Sequence, residues 1–225
     1  ATILFSSAAF AQGKGEVVRF QDFPGTGNML AKVAIAKGYC EKHGIKCQLQ
    51  VIPSGPLGAQ ALLAKSIEVG MFVPEVGVLA IQKGAKIRAV AGAAVGNVFA
   101  LIAGNHIETP NAGKGFPAFM QDFKGKKIGV PARGSGGEIS FDWMLKKAGL
   151  KSGDVTYVAV GAGNTAYAAV INKQVDGLML FEPAGSMCEV YKTCKVIWRG
   201  AEDKEPPELY ALNGGSTSNW LRQDY

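Results

Sequence analysis

The stretch that decides the fold is KIGVPARGSGGE, residues 127–138. Its first four residues, Lys127 to Val130, form an apolar run typical of a short buried strand, and the turn that follows is rich in glycine, proline and serine. A helical pattern begins near Glu138 and stops at Gly149, because glycine commonly ends helices. A strand that leads through such a turn into a helix is half of a βαβ unit.

The same pattern recurs along the chain at nearly constant spacing. Three strand ends in the first half match three in the second half at offsets of 110, 108 and 108 residues: Phe20 with Val130, Ile52 with Val160, and Val73 with Phe181. A further strand, 99–101, matches 210–212 at an offset of 111. We therefore expect two α/β lobes, each built on a parallel sheet, with residues 106–122 as the connection between them.

The turns that follow the strands predict a ligand cleft. In open α/β sheets, ligands bind beyond the carboxyl ends of the strands. Each of these turns precedes a helix, whose free amide groups and positive dipole end attract polar or anionic groups. The expected fold is therefore α/β, with two Rossmann-like lobes and a ligand cleft between them that suits a small polar or anionic molecule.

Composition excludes several other classes of protein. The chain has 225 residues, of which 48% are hydrophobic and 19% charged, and its net charge is +6. A disordered chain would have fewer apolar residues and more net charge. The basic cluster at residues 124–127 is not interleaved with aromatic residues, so we expect no nucleic-acid partner. No apolar run reaches the roughly 18 residues that a membrane helix needs.

The first eleven residues, ATILFSSAAFA, are typical of the end of a secretory signal peptide. Within them, Ala9-Phe10-Ala11 has the A-x-A form of a cleavage site. We expect the chain to be exported, with residues 1–11 left outside the folded core. The alternative is an ordinary apolar N-terminal segment.

Four cysteines in two close pairs agree with export. Cys40 falls at the end of a predicted helix and Cys47 near the start of the next strand, so their sulfurs can meet across a short turn. Of the three possible connectivities, we predict the two local ones, Cys40–Cys47 and Cys188–Cys194. The alternatives are four buried free thiols, or a metal site on the C-x2-H-x3-C spacing that includes His43. We expect no metal.

Four stretches carry a resemblance to a known family: GVPARGSGGE at 129–138, IEVGMFVPEVGVLAIQKGA at 67–85, FALIAGN at 99–105 and DGLMLFEP at 176–183. Their order and spacing resemble the bacterial periplasmic solute-binding proteins of ABC importers. The branch is the one that serves sulfonates, taurine, nitrate and thiamine-pyrimidine precursors. The resemblance covers residues 17–225 and implies the type 2 periplasmic-binding-protein fold.

The resemblance implies a non-catalytic protein that captures a small organic or inorganic anion, or a pyrimidine-like solute. Such a protein delivers its solute to an ABC permease in the inner membrane, works in the periplasm as a monomer and needs no cofactor. We accordingly divide the chain into a signal-peptide remnant (1–11), lobe one (12–104), lobe two (105–215) and the start of a return to lobe one (216–225). Family members are usually longer, so we expect the chain to be truncated at its C-terminus, with part of lobe one missing.

Carried over by position, the family pattern implies a ligand site at the strand-end turns of both lobes. These turns would offer hydroxyl and amide donors, two Glu-Pro or Pro-Glu pairs would close the third-strand ends, an arginine could pair with an anion, and an aromatic residue could stack on an organic ligand. The candidate ligand-binding residues are Phe23, Thr26, Gly27, Ser54, Gly55, Pro74, Glu75, Arg133, Ser135, Gly136, Gly137, Asn164 and Glu182.

Several of these residues also have an ordinary structural interpretation. Ser135 could be a helix N-cap with Glu138 at the capping-box position, Arg133 a solvated surface residue, and Phe23 part of the core. Glu75 and Glu182 would favour a ligand with donor groups if they are buried.

Two enzyme alternatives remain open. Residues 161–166, GAGNTA, match the dinucleotide fingerprint G-x-G-x-x-A between a strand and a helix, and Glu182 follows Gly163 by 19 residues. This unit lies late in the second half, whereas such a fingerprint normally opens its domain. The second alternative rests on resemblance, because fungal thiamine-pyrimidine synthases share this fold. Their cysteine-rich cluster and their Lys and His arrangement have no match in this sequence, so solute binding is the expected function.

Overall fold

The computed structural model describes residues 13–202 and 216–225. Its first half contains β1 (Val17–Asp22), α1 (Met29–Ala36), α2 (Tyr39–Lys42), β2 (Lys46–Val51), α3 (Gly55–Leu63), β3 (Gly70–Phe72), α4 (Pro74–Gln82) and β4 (Ile87–Val95). Its second half contains β5 (Phe99–Gly104), β6 (Lys127–Val130), α5 (Gly136–Lys147), β7 (Thr156–Ala159), α6 (Asn164–Ile171), β8 (Gly177–Phe181), α7 (Ala184–Tyr191), β9 (Cys194–Arg199) and β10 (Ser216–Arg222). Short 3₁₀ turns lie at Ala112–Lys114, Ala118–Phe123 and Ser152–Asp154.

The strands of lobe two form one mixed sheet, and those of lobe one form two sheets that an isolated bridge joins side by side. In lobe one, β1 pairs in parallel with β2, a parallel bridge between Phe20 and Val69 joins β1 to β3, and β10 lies antiparallel between β3 and β4. In lobe two the order is β7-β6-β8-β5-β9, with β5 antiparallel to both of its neighbours. The orders β2-β1-β3-β10-β4 and β7-β6-β8-β5-β9 correspond strand for strand, which confirms the two-lobed α/β fold.

Strand β5 belongs to the sheet of lobe two, whereas the sequence analysis assigned residues 12–104, and therefore β5, to lobe one. It pairs with β8 from Phe99 to Ala103 and with β9 on its other edge. Every residue of β5 is buried, and an apolar strand of this kind requires cover on both faces, which the interior of the second sheet provides. The chain therefore crosses between the lobes at residues 96–98, before β5, and its sheet-one counterpart is β10.

Two sequence predictions fall on residues that the structure leaves undescribed. The expected position of residues 1–11 outside the core lies outside the described ranges. So does the strand predicted at 210–212.

The helix predicted over residues 28–43 is two helices, α1 and α2. Gly38 separates them with a left-handed backbone, φ +66°, which glycine adopts without the steric cost of a Cβ. The change of direction buries Cys40 on α2 and brings it to Cys47 on β2, with 5.9 Å between the Cα atoms. The disulfide is the one predicted, and it leaves no thiolate for the metal alternative with His43.

Cys188 and Cys194 form the second predicted disulfide, between the middle of α7 and the first residue of β9. The alternative of four free thiols is therefore wrong, because all four cysteines are bonded. Each bond closes a short loop, so the stabilisation is expected near the low end of about 2–4 kcal/mol.

Trp220 attaches β10 to lobe one. Its indole stacks on Phe72 with 5.3 Å between ring centroids, and its Nε1 donates a hydrogen bond of 3.2 Å to the Phe72 carbonyl. A Cβ at Gly77 would lie 2.3 Å from the indole, so α4 packs here only because that position lacks a side chain. Lobe one thus depends on a tryptophan from the end of the described chain.

Within the described ranges, no helix combines the length and the apolar character that crossing a membrane would require.

We expect Trp220→Ala to lower the free energy of unfolding by about 3–5 kcal/mol, because it leaves a cavity at the β3–β10 seam. Urea denaturation measures the change. Tyr39→Ala is the control, since Tyr39 is an exposed aromatic residue on α2, and its loss should cost far less. Equal losses in the two variants would contradict this role for Trp220.

Candidate functional site

A cavity of about 370 Å³ lies between the two lobes. It is bounded by the carboxyl ends of β1, β3, β6 and β8 and by the crossing segments before β5 and in β10. Its lining residues are Phe23, Thr26, Gly27, Ser54, Gly55, Met71, Phe72, Val73, Val76, Ala94, Gly96, Asn97, Val98, Phe99, Ala100, Pro131, Ser135, Gly136, Phe181, Glu182, Arg199, Ala201, Glu202 and Thr217.

Three residues that line this cavity carry buried hydroxyl groups without a hydrogen-bond partner among the described residues. Ser54, Ser135 and Thr217 are 1%, 2% and 8% exposed, and none of the three side-chain oxygens has a hydrogen-bond partner. A buried hydroxyl that lacks a partner costs about 1–3 kcal/mol. Because all three residues line the same cavity, their unused hydrogen-bonding capacity favours a polar ligand there.

Two of these hydroxyls lie at helix N-termini. Ser54 precedes α3 and Ser135 precedes α5, and neither side chain caps its own helix. At α5, Glu138 instead accepts a 2.8 Å hydrogen bond from the backbone N–H of Gly134. The capping-box interpretation of Ser135 is therefore wrong. Its hydroxyl stays available to a ligand, beside the free amide groups of the first helical turn.

Gly136 brings the two lobes into close approach. A Cβ at this position would lie 2.8 Å from Val73 of lobe one and 3.0 Å from the Phe99 ring. Any side chain here would push the β6–α5 turn away from lobe one. The glycine thus allows Ser135 to reach the same cavity as Ser54.

Aromatic side chains form much of the remaining wall. Phe23 of lobe one meets Phe181 of lobe two edge to face, with 5.3 Å between ring centroids. Phe72 and Phe99 line the cavity as well. These rings provide a dry surface for the apolar body of a ligand.

Charge is concentrated at one place in the cavity wall. Arg199 is held by Glu182 and Glu189, with 2.6 Å between Nη2 and the Glu189 carboxylate, and its Nε lies 3.7 Å from Glu202. Burial opposes the charge on Arg199, but the hydrogen bond that it donates to Glu189 and the charge of Glu182 raise its pKa above the ordinary value. The guanidinium therefore stays protonated beside the cavity.

The turn with the dinucleotide fingerprint contacts lobe one. A Cβ at Gly163 would lie 2.9 Å from Pro24, and one at Gly25 would lie 2.7 Å from Pro183. The space that a pyrophosphate requires at Gly163 is occupied by Pro24, so the fingerprint serves as a lobe–lobe contact.

Eight of the thirteen candidate residues line the cavity: Phe23, Thr26, Gly27, Ser54, Gly55, Ser135, Gly136 and Glu182. The other five, Pro74, Glu75, Arg133, Gly137 and Asn164, do not. Arg133 is exposed and paired with Glu138, and Asn164 is exposed at the start of α6. Gly137 packs against the sheet, where a Cβ would lie 2.6 Å from the Met179 carbonyl.

Sequence reasoning missed Arg199, Thr217 and Asn97. A signal existed for Arg199, because it is a charged residue at the end of the apolar strand β9. The buried side chain of Asn97 accepts a hydrogen bond from the Phe99 amide and thereby shapes the crossing between the lobes. Thr217 lies in the segment that the sequence analysis expected to return to lobe one, and β10 does pair with β3 and β4, but no local pattern indicated that this return passes the cavity.

Comparisons with known proteins agree with this architecture. Residues 29–192 match the family described as NMT1/THI5 like. A curated protein of Brucella abortus (strain 2308), whose name describes it as a binding protein, is 34% identical over 157 residues, which are 70% of this chain and 45% of the relative. The chain thus spans less than half the length of the curated relatives it matches.

Solved structures share the fold. A protein from Bordetella bronchiseptica RB50 superposes with a TM-score of 0.74 at 24% identity, over 92% of this chain and 64% of that one. The alkanesulfonate-binding protein SsuA from Xanthomonas axonopodis pv. citri, bound to MOPS, gives 0.72 at 20% identity, over 96% and 68%. The periplasmic nitrate-binding protein NrtA from Synechocystis PCC 6803 gives 0.67 at 15% identity, over 95% and 56%. These likenesses place the chain in the two-lobed fold of periplasmic binding proteins.

Glu75 makes the stability of the protein depend on pH. It lies in the first turn of α4, its carboxyl oxygens are buried without a partner, and burial raises its pKa from 4.5 to about 7. Between these values the folded protein keeps a proton that the unfolded chain has lost. Stability is therefore full below the unfolded pKa and falls as pH rises through the folded pKa.

The parent protein should lose unfolding free energy between about pH 4 and pH 8 because Glu75 ionises. We expect this loss to be smaller by about 1–3 kcal/mol in Glu75→Gln, after allowance for partial solvent screening. Comparing each variant with itself at the two pH values cancels the constant cost of burying the amide. Glu41→Gln, at an exposed position on α2, is the control and should keep the parental pH dependence. An unchanged profile in Glu75→Gln would contradict the assignment.

Proposed function

The chain belongs to the NMT1/THI5-like family, and from that premise we propose that it is the solute-binding component of an ABC importer. Its task is to enclose a small molecule between the two lobes and deliver it to a membrane permease. The relative from Brucella abortus is named as a binding protein, and the superposed structures include sulfonate- and nitrate-binding proteins. These likenesses support the proposal, and the cavity chemistry carries it.

The observation that carries the proposal is the set of unpartnered hydroxyls of Ser54, Ser135 and Thr217. Their residues come from both lobes and line one cavity, so the proposed ligand is one whose head group accepts hydrogen bonds from both lobes. The N-termini of α3 and α5 add amide donors and favour a negative head group. An oxygen-rich head group such as a sulfonate or carboxylate fits this donor set.

The walls favour an organic solute over a bare inorganic anion. Phe23, Phe72, Phe99 and Phe181 surround the cavity, and an inorganic ion would leave these rings without contact. An organic body would displace water from them and gain hydrophobic free energy in proportion to the area buried. We therefore propose a small organic acid, with its head group at the hydroxyls and its body against the rings.

The partner and the location follow from the same proposal. An importer component of this kind works outside the cytoplasm and docks on a permease, which agrees with the predicted export segment at residues 1–11. The two disulfides suit an oxidising compartment. Binding without catalysis requires no cofactor.

Titration calorimetry tests the proposal with MOPS, an alkanesulfonate, an aminopyrimidine, nitrate, sulfate and NAD⁺ as separate probes. We expect saturable binding of an organic acid and weaker or no binding of nitrate and sulfate. Saturable binding of NAD⁺ alone would favour the dinucleotide alternative, and tightest binding of an inorganic anion would overturn the organic class. The aminopyrimidine separates a thiamine-precursor ligand from an organic acid.

We expect Ser135→Ala to weaken binding of the organic-acid probe about ten- to a hundredfold, because a hydrogen bond to a charged group contributes about 1.5–3 kcal/mol. The melting temperature should stay near that of the parent, since the Ser135 hydroxyl has no partner in the protein. Ser152→Ala, on an exposed turn remote from the cavity lining, is the control. A lower melting temperature with unchanged affinity would show that Ser135 is structural only.

A further inference from the structure

The charged part of the cavity wall is built by one contiguous segment, residues 182–202. Glu182 directly follows β8, and α7 begins two residues later. Strand β9 then ends at Arg199, which lies beside Glu182. Only residues 192 and 193 separate α7 from β9. The position of Arg199 therefore depends on how α7 and β9 are held together.

Arg199 is held from two sides by carboxylates of this segment. Glu182 contacts its Nη1 and also accepts a 2.9 Å hydrogen bond from the Ser186 amide, which fixes that carboxylate to the first turn of α7. Glu189, in the last turn of α7, contacts its Nη2 at 2.6 Å. The Arg199 side chain is only 14% exposed, so its orientation is set by these contacts more than by solvent.

The Cys188–Cys194 disulfide ties the two elements together next to these contacts. Cys188 directly precedes Glu189, and Cys194 is the first residue of the strand that ends at Arg199. Both cysteines are buried in the core beneath α7. The covalent bond thereby limits how far Glu189 can move relative to β9.

The Cys40–Cys47 disulfide is a matched comparison elsewhere in the molecule. Its sequence separation is seven residues, against six for Cys188–Cys194. No described residue between Cys40 and Cys47 lines the cavity. The two bonds thus resemble each other in loop length and differ in their position relative to the site.

We propose that the Cys188–Cys194 disulfide is a positioning element of the solute site, which acts through Glu189 to hold the Arg199 guanidinium in the cavity wall. The consequence for affinity rests on the proposed function, whereas the consequence for Arg199 does not. Loss of the bond leaves the fold intact and lets the last turn of α7 move away from β9. Arg199 then loses its contact with Glu189, while the carboxylates of Glu182 and Glu202 remain beside it.

The first experiment observes Arg199 directly by NMR. The Nε–H signal of Arg199 is assigned by its absence in Arg199→Lys. In the Cys188→Ala/Cys194→Ala variant we expect this proton to exchange faster with water and the side chain to lose order. In Cys40→Ala/Cys47→Ala the signal should match the parent, although both variants lose similar stability because their loops are of similar length.

The second experiment measures affinity for MOPS in a double-mutant cycle. We expect Cys188→Ala/Cys194→Ala to weaken binding about fivefold or more, and the same change in an Arg199→Lys background to have little further effect, because coupled residues are not additive. Cys40→Ala/Cys47→Ala should bind MOPS like the parent. An equal loss of affinity with and without Arg199 would show a general loss of structure and would overturn the proposal.

Glu189→Gln keeps the disulfide and provides a test that does not depend on folding without it. We expect this variant to reproduce the change in the Arg199 signal. An Arg199 signal identical to the parent in Glu189→Gln, or an identical signal in both disulfide variants, would overturn the proposal. If MOPS fails to bind the parent protein, that result counts against the proposed solute, while the NMR experiments still decide the role of the disulfide.

Discussion

The approach of the two lobes at Gly136 is the constraint on which the site depends. With no side chain at this position, the β6–α5 turn packs against Val73 and the Phe99 ring. This contact brings the N-terminus of α5 opposite the turns of lobe one. The missing Cβ at Gly136 therefore permits this close approach, which the contacts of Gly25 with Pro183 and of Gly163 with Pro24 accompany.

The crossing of strands between the sheets contributes the rest of the cavity. Because β5 belongs to the second sheet and β10 to the first, the chain crosses between the lobes at residues 96–98, and β10 lies in lobe one although β9 lies in lobe two. Asn97, in the crossing segment, and Thr217, near the start of β10, both line the cavity. The segments that connect the lobes are thus also in a position to contact a ligand, so binding and the relative placement of the lobes are linked physically.

Local sequence patterns were sufficient for the parts of the fold that depend on local interactions. The strand–turn–helix periodicity predicted both lobes, and short spacing predicted both disulfides. Patterns failed where long-range packing decides. The FALIAG run reads as an apolar strand in either lobe, and only its pairing with β8 and β9 places it in lobe two. Arg199 escaped prediction for the same reason, and for Thr217 the return to lobe one was expected but its place beside the cavity was not.

The contacts between the lobes and the unpartnered hydroxyls have opposite effects on the stability of the arrangement in which the lobes touch. Contacts such as Phe23 with Phe181 favour the arrangement in which the lobes touch. Burial of a hydroxyl without a partner costs about 1–3 kcal/mol, so the three unpartnered groups at the cavity act against this arrangement. A solute that accepts their hydrogen bonds removes this opposition only when the lobes are together. Its binding free energy is therefore coupled to closure, which is the condition for a ligand to shift a conformational equilibrium.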